Sequence, residues 1–218
     1  VVLANPPYSI KQWDREAFMH DKWGRNFLGT PPQGRADYAF FQHILASMDD
    51  KTGRCAILLP HGVLFRKEEE VLRKKLVESD LIECIIGLGA NLFYNSPMEA
   101  CIIICRKNKA QEAKGRITFI NAVNEVVRKN AESYLEEKHI AKICKAYSTQ
   151  DNIDNFSRTV SNELVLENSA NLNISLYVSA VAATEISVLS VDDSIKQWQI
   201  RNKQMYNEFD NLLSLIHG

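Results

Sequence analysis

Several things are missing from this 218-residue chain, and each absence narrows its function. No apolar run approaches the roughly 18 residues needed to cross a bilayer, so the sequence contains no helical membrane span. No sign of charge dominates: 26 Lys and Arg stand against 27 Asp and Glu, a formal net charge of -1. A freestanding DNA binder is usually basic; if this chain works on nucleic acid, most phosphate contacts come from elsewhere. Cysteine is sparse and odd in number, at five. Cys55, Cys84, Cys101 and Cys105 sit in apolar, strand-like runs and Cys144 lies outside them. That is no disulfide framework; it predicts buried, reduced thiols and a cytoplasmic protein. Cys101 and Cys105 share a strand face but stand too far apart to chelate one metal, and no His/Cys/Asp/Glu cluster has metal spacing. There is no internal repeat and no low-complexity tract. The G-L-G at 87 to 89 opens no clear strand–loop–helix phosphate or cofactor site.

What is present is an alternation of apolar runs and helical patterns. Val1–Ala4 reads as a buried strand that must stop at Pro6, which lacks an N–H. Residues 9 to 35 are long and irregular, a length that is functional or disordered. Asp37 to Met48 has Tyr38, Phe41, Leu45 and Met48 at helical spacing. Cys55–Leu59 is a second strand. Arg66 to Ser79 reads as a charged helix with Val71, Leu72 and Leu76 as its stripe. Ile82–Leu88 and Cys101–Cys105 are further strands, the last apolar on both faces and so expected beneath helices on both sides. The loop between them is too short for a crossover helix, which predicts antiparallel pairing. This order indicates an open α/β sheet over residues 1 to 110. Residues 111 to 180 read as an α/β extension, with a short strand at Ile117–Asn121, a helix from Ala131 to Ala146 and a strand-like piece at Leu164–Leu166. Over 181 to 218 a heptad seam runs through Ile195, Trp198, Asn202, Met205, Phe209 and Leu212, which predicts a long C-terminal helix.

The chemistry concentrates in Asn5-Pro6-Pro7-Tyr8. In an open α/β sheet, ligands sit beyond the carboxyl ends of the strands, and the quartet falls there. Two prolines stiffen the backbone. The Asn5 amide and the proline carbonyls offer acceptors to an NH2 group, and Tyr8 offers a flat face beside them. Acceptors on both N–H protons leave a planar amine more tetrahedral and more nucleophilic. Such an amine is N6 of adenine, which must first be flipped from the duplex at a cost of a few kcal/mol; stacking on Tyr8 returns roughly 1–3 kcal/mol.

The quartet resembles motif IV of the amino-methyltransferases that use S-adenosylmethionine. G-T-P-P-Q-G-R-A-D-Y-A-F-F-Q-H-I-L (29 to 45), L-P-H-G-V-L-F-R (59 to 66), I-G-L-G-A-N-L-F-Y (86 to 94), C-I-I-I-C-R-K-N-K (101 to 109) and N-L-N-I-S-L-Y-V (171 to 178) are similar, in order, to blocks of the modification subunits of type I restriction–modification systems. The resemblance implies the C-terminal half of a Rossmann-like, S-adenosylmethionine-dependent sheet that methylates adenine N6 in DNA. By resemblance, Asn5 and Pro6 accept from the target amine, Pro7 shapes the turn and Tyr8 stacks on the flipped base. It further implies a specificity subunit, bound through helices, and a restriction subunit. The family's glycine-rich cofactor loop lies upstream of the quartet. The chain is therefore expected to be a fragment that binds S-adenosylmethionine poorly, with Asn5 an edge contact, and is inactive alone. Its Val1–Ala4 edge is expected to self-associate. The rival functions are protein glutamine N-methylation, whose amide is also a planar NH2, and a non-catalytic docking scaffold.

Other candidates are weaker. His43 reads as structural, and His61, after a strand end, as a possible cleft residue. Asp37 reads as a helix cap in preference to a group that orients the site. Arg66-Lys67-Glu68-Glu69-Glu70 reads as a solvated helix face.

Overall fold

The protein is described from a computed structural model. The structure describes residues 1–93, 97–129 and 132–178. The C-terminal helix expected over 181–218, with its seam, lies outside the described residues.

Eight strands and five helices make up this part. In chain order they are β1 (Val2–Ala4), α1 (Arg15–Met19), α2 (Asp37–Ala46), β2 (Arg54–Pro60), α3 (Glu70–Glu78), β3 (Ile82–Leu88), β4 (Ala100–Arg106), β5 (Arg116–Ala122), β6 (Val127–Lys129), β7 (Glu132–Tyr134), α4 (Glu137–Thr149), β8 (Ser157–Ser161) and α5 (Asn162–Glu167). Short 3₁₀ turns at His61–Leu64, Lys67–Glu69 and Ile174–Leu176 join them.

Six strands form one sheet in the order β1-β2-β4-β3-β5-β8. β1 runs parallel to β2 and β3 parallel to β5, while β4 lies antiparallel to both β2 and β3. The antiparallel pairing read from the short loop is therefore present, and the fold is the expected α/β sheet. Pro60 and Leu88 both face Ala100 across the ladder. The carboxyl ends of β1, β2, β3 and β5 consequently share one end of the sheet. The chain after 110 extends the same sheet, through β5 and the antiparallel β8.

One face packs under α2, α3, α5 and the 170–178 segment. Alternate residues of β2 and β4 (Cys55, Ile57 and Leu59; Cys101, Ile103 and Cys105) point into this core beside Tyr38, Phe41, Leu45 and Leu76. The opposite face is closed by α4 over Cys84, Ile86 and Ile120. Toward β1 that face opens: Leu58, Ile102 and Ile104 are half-buried, and Leu3 is 79% exposed. Among the described residues, the coverage expected on both sides of β4 is thus complete on one side only.

Three local expectations are corrected. Leu164–Leu166 is not strand but the middle of α5, because the Ser161 hydroxyl accepts the Leu164 N–H and caps a helix there. The helix expected from Ala131 begins at Glu137; Glu132–Tyr134 instead pairs with β6. In the third helix the buried side chains are Leu72, Arg73, Leu76 and Val77, while Val71 is exposed. Val71 stands about 100° around the helix from Leu72 and about 140° from Leu76, off the buried stripe.

Candidate active site

β1 ends because its ladder ends. The last register pair is Ala4 with Ile57, and Pro6 and Pro7 have no N–H to continue it. Asn5 and Pro7 are exposed; Pro6 and Tyr8 are half-buried. Asn5 also borders an apolar concavity on the open sheet face, shared with Leu3, Ala4, Ala56, Leu58 and Ile102. Burial pushes the Tyr8 phenol up to about 12, with smaller contributions from Cys101 and Asp37. The ring therefore stays neutral across the physiological range. One half of the quartet faces solvent and the apolar concavity, while its aromatic end is seated against the closed side.

The residue after the quartet carries the brace. Ser9 is left-handed, with φ 49°, an uncommon conformation for a residue other than glycine. Its N–H donates to Asp37 Oδ1 at 2.7 Å. Arg66 Nη1 donates to Asp37 Oδ2 at 2.9 Å and lies 3.4 Å from Glu69 Oε2. Both carboxylates are fully buried as side chains. Arg73 donates to the Arg66 carbonyl at 2.5 Å and to the Ala170 carbonyl at 3.1 Å. Tyr38 Oη donates to the Val63 carbonyl at 3.1 Å. Two of the sequence blocks, 29 to 45 and 59 to 66, thus meet behind the quartet, joined by Glu69, Arg73 and Ala170. Burial raises the Glu69 carboxyl to about 7, against the opposing pull of Arg66 and Arg73.

The irregular segment that follows is ordered by side-chain ties. Trp13 Nε1 donates to the Gln33 carbonyl at 2.7 Å and Arg15 Nε to the Pro31 carbonyl at 2.9 Å. The buried Gln42 amide accepts from Leu28 N and donates to the Gly29 carbonyl. Exposed within the segment are Trp23, with Lys22 over its ring, and Phe27.

Two sequence readings fail here. Asp37 does not cap α2: the N-cap position is Ala36 and no side chain caps it. Asp37 instead turns inward to Ser9 and Arg66. Arg66 and Glu69 are not part of a solvated face; Glu69 is buried. Ser9, Arg66 and Glu69 were not singled out; only Arg66 fell within a quoted block, L-P-H-G-V-L-F-R. His61 follows the end of β2, with Nδ1 3.6 Å from Glu99 and its pKa lowered by burial. His43 is exposed on α2, near Arg25. Cys55, Cys84, Cys101 and Cys105 are buried and free, while Cys144 is exposed and free. Among the described residues no cluster of metal-ligating side chains occurs, and no helix is long and apolar enough to cross a membrane.

The chain is similar to known proteins over most of its length. Residues 1–186 match the family described as N-6 DNA Methylase. A type I restriction enzyme MjaVIII methylase subunit of Methanocaldococcus jannaschii is 38% identical over 224 residues, covering 100% of this chain and 37% of that protein. The MpnII methylase subunit of Mycoplasma pneumoniae is 32% identical, over 97% of this chain and 41% of its own length. The chain thus spans well under half of these relatives. Among solved structures, a type I restriction-modification system methyltransferase subunit from Streptococcus thermophilus superimposes with a TM-score of 0.75 at 38% identity, over 82% of this chain and 38% of that one. The EcoKI M protein shares the fold, with a TM-score of 0.55 at 16% identity over 91% of this chain and 47% of its own. The chain belongs to the N-6 DNA methylase family.

Proposed function

We propose that this chain forms the target-base side of an adenine N6 DNA methylase, the modification subunit of a type I restriction–modification system. The observation that supports it most is the placement of Asn5-Pro6-Pro7-Tyr8 at the common carboxyl end of the sheet, with Asn5 exposed and Tyr8 half-buried. In this reading the Asn5 side-chain carbonyl and the Pro6 main-chain carbonyl accept the two N–H groups of the target amine. The nitrogen lone pair is then less delocalised into the ring. Tyr8 stacks on the flipped base and offsets part of the extrusion cost, and Pro7 shapes the turn. The amine is itself the nucleophile, so no covalent enzyme intermediate forms. Its surplus proton leaves after transfer, so a general base is optional.

S-adenosylmethionine supplies the electrophilic methyl group in this reading. The described residues do not fit it as a complete pocket. The concavity beside Asn5 is lined by apolar side chains and one amide, with no charged side chain to pair with an ammonium or a carboxylate. Asn5 is an edge contact, and residues 1 to 218 alone are expected to be inactive.

The partners in this reading are duplex DNA with one adenine flipped out, a specificity subunit and a restriction subunit. The seam from Ile195 to Leu212 would receive the specificity subunit, with Asn202 setting register. The buried free thiols suit a cytoplasmic protein. β1 lies at the edge of the sheet, with Val1 82% and Leu3 79% exposed; the isolated chain is expected to self-associate there.

The test is methyl transfer by the full-length protein, assembled with its specificity subunit, from labelled S-adenosylmethionine to duplex DNA. Recovery of N6-methyladenine in the digested DNA is expected. Label on cytosine, or on protein glutamine and not on DNA, would sink the reading. Calorimetric titration of S-adenosylmethionine into residues 1 to 218 is expected to give no heat; micromolar binding would overturn the incomplete-pocket claim.

A further inference from the structure

Three features described above are not used by the proposed chemistry: a serine in the left-handed region, a buried carboxylate pair, and an arginine between them. They lie in one line. Tyr8 is covalently followed by Ser9. Ser9 N–H is held by Asp37 Oδ1 at 2.7 Å and its hydroxyl lies 3.4 Å from Oδ2. Arg66 Nη1 holds the same Oδ2 at 2.9 Å, and Nη2 stands 3.5 Å from the Ser9 hydroxyl. The same Nη1 stands 3.4 Å from both carboxylate oxygens of Glu69.

The guanidinium occupies that place because Gly62 leaves it room. A Cβ on Gly62 would stand 2.7 Å from Arg66 Nε and 2.9 Å from Nη2. Gly62 does not have a positive φ, so its backbone does not require glycine. The space is what requires it. A side chain in this position would force the guanidinium to shift while leaving every charge in place.

The geometry points to Asp37, Arg66 and Gly62 as positioning residues for Tyr8: Gly62 admits the guanidinium, the guanidinium fixes the carboxylate, and the carboxylate fixes the Ser9 amide whose backbone sets where the Tyr8 ring stands. None of the three is assigned a contact with base or cofactor. The inference rests on the reading of Tyr8 as the base-stacking residue. An ordinary stabilising ion pair would leave the orientation of Tyr8 unaffected, whereas a positioning device acts on it. A hydrogen bond from charged Arg66 to carboxylate is directional and planar, which suits the second role. Small misplacement of a reacting or binding group costs rate steeply.

The experiment uses the full-length protein with its specificity subunit and DNA carrying 2-aminopurine at the target adenine. Tyr8→Ala defines the emission of a flipped base without its stacking partner. Asp37→Asn and Gly62→Ala are then compared with wild type, for emission, for kcat on unmodified DNA, for the KM of S-adenosylmethionine and for the melting midpoint. Gly62→Ala keeps all charges, so it remains decisive if Asp37→Asn fails to fold. The expected result is emission shifted toward the Tyr8→Ala value and kcat lowered roughly tenfold or more, with cofactor KM unchanged. Wild-type emission in folded Gly62→Ala would overturn the positioning role, even if kcat fell. Wild-type rate and emission in Tyr8→Ala would instead remove the base-stacking reading, and this inference with it.

Discussion

The two faces of the six-stranded sheet differ in how they are finished. On one, Phe41, Leu45, Ile57, Ile85, Ile103 and Phe119 are completely sealed by helices and by the 170–178 segment. On the other, α4 seals only the β3–β5 end, while Ile104, Ile102 and Leu58 are half-buried and Leu3 is exposed. The quartet leaves the sheet at the open corner but is tied down on the sealed side, through Ser9 to Asp37. That division teaches where rigidity and access come from. Access to Asn5 comes from the side the described chain does not cover. Rigidity of the Tyr8–Ser9 turn comes from the side it covers completely.

The contrast can be broken or sharpened by measurement. The largest expected effect is on the sealed face. Phe119 stacks on Tyr177 with ring centroids 4.4 Å apart, and Phe119→Ala is expected to lower the unfolding free energy by about 3–5 kcal/mol. On the open face, Leu3→Ala is expected to change it by less than about 0.5 kcal/mol. Urea unfolding of both variants decides; equal losses would break the contrast.

Next is Asn5, which belongs to the open corner. Asn5→Ala in the full-length protein is expected to lower kcat about 100-fold, the scale of losing one hydrogen-bonding group aimed at the reacting centre. Its melting midpoint should not move. Initial rates and a thermal scan measure both, and an active Asn5→Ala enzyme would remove the amine-acceptor role.

A smaller effect belongs to Glu69, buried on the sealed side. Its folded value near 7 stands above the 4.5 of an ordinary glutamate. The folded state therefore keeps a proton that the unfolded chain releases, so folding takes up a proton across that interval. Stability from this group is fully present below about 4.5 and falls as pH rises to about 7. The total loss is about 3 kcal/mol. Glu69→Gln should flatten this slope and be the more stable protein at pH 8, because Arg66 retains Asp37. A wild type that gains stability over the variant between pH 5 and pH 8 would contradict it.

The smallest effect on folding is expected at the β1 edge. Leu3→Lys should leave the unfolding midpoint of residues 1 to 218 unchanged and abolish their association in light scattering, since an edge lysine opposes strand pairing. A wild type that scatters as a monomer across a wide concentration range would remove the premise.

Much of the sheet was legible in the sequence because its strands are contiguous apolar runs bounded by prolines, as in Val1–Ala4 and Cys55–Leu59. The quartet was legible because its residues are adjacent. The brace was not. Its partners are 28, 29 and 57 residues apart, and no periodicity links a serine to an aspartate at that distance. Arg66 and Glu69 were hidden for a second reason. A run of five charges of mixed sign reads as a solvated face, yet Arg66, Glu69, Arg73 and Leu76 recur at spacings of three and four. α5 was readable in principle: Ser161 ahead of Leu164–Leu166 is a helix-start signal, outweighed by three apolar residues in a row.

The tie from Arg73 to the Ala170 carbonyl spans 97 residues, and it bears on time as well as on place. Arg73 also holds the Arg66 carbonyl, so the brace behind Tyr8 is clamped only once residue 170 has arrived. On a ribosome adding roughly 5–20 residues each second, the quartet emerges many seconds before its last support. Closing so long a loop also slows folding after release. The site that must be the most rigid in the finished molecule is thus made at the beginning of this segment and becomes rigid near its end.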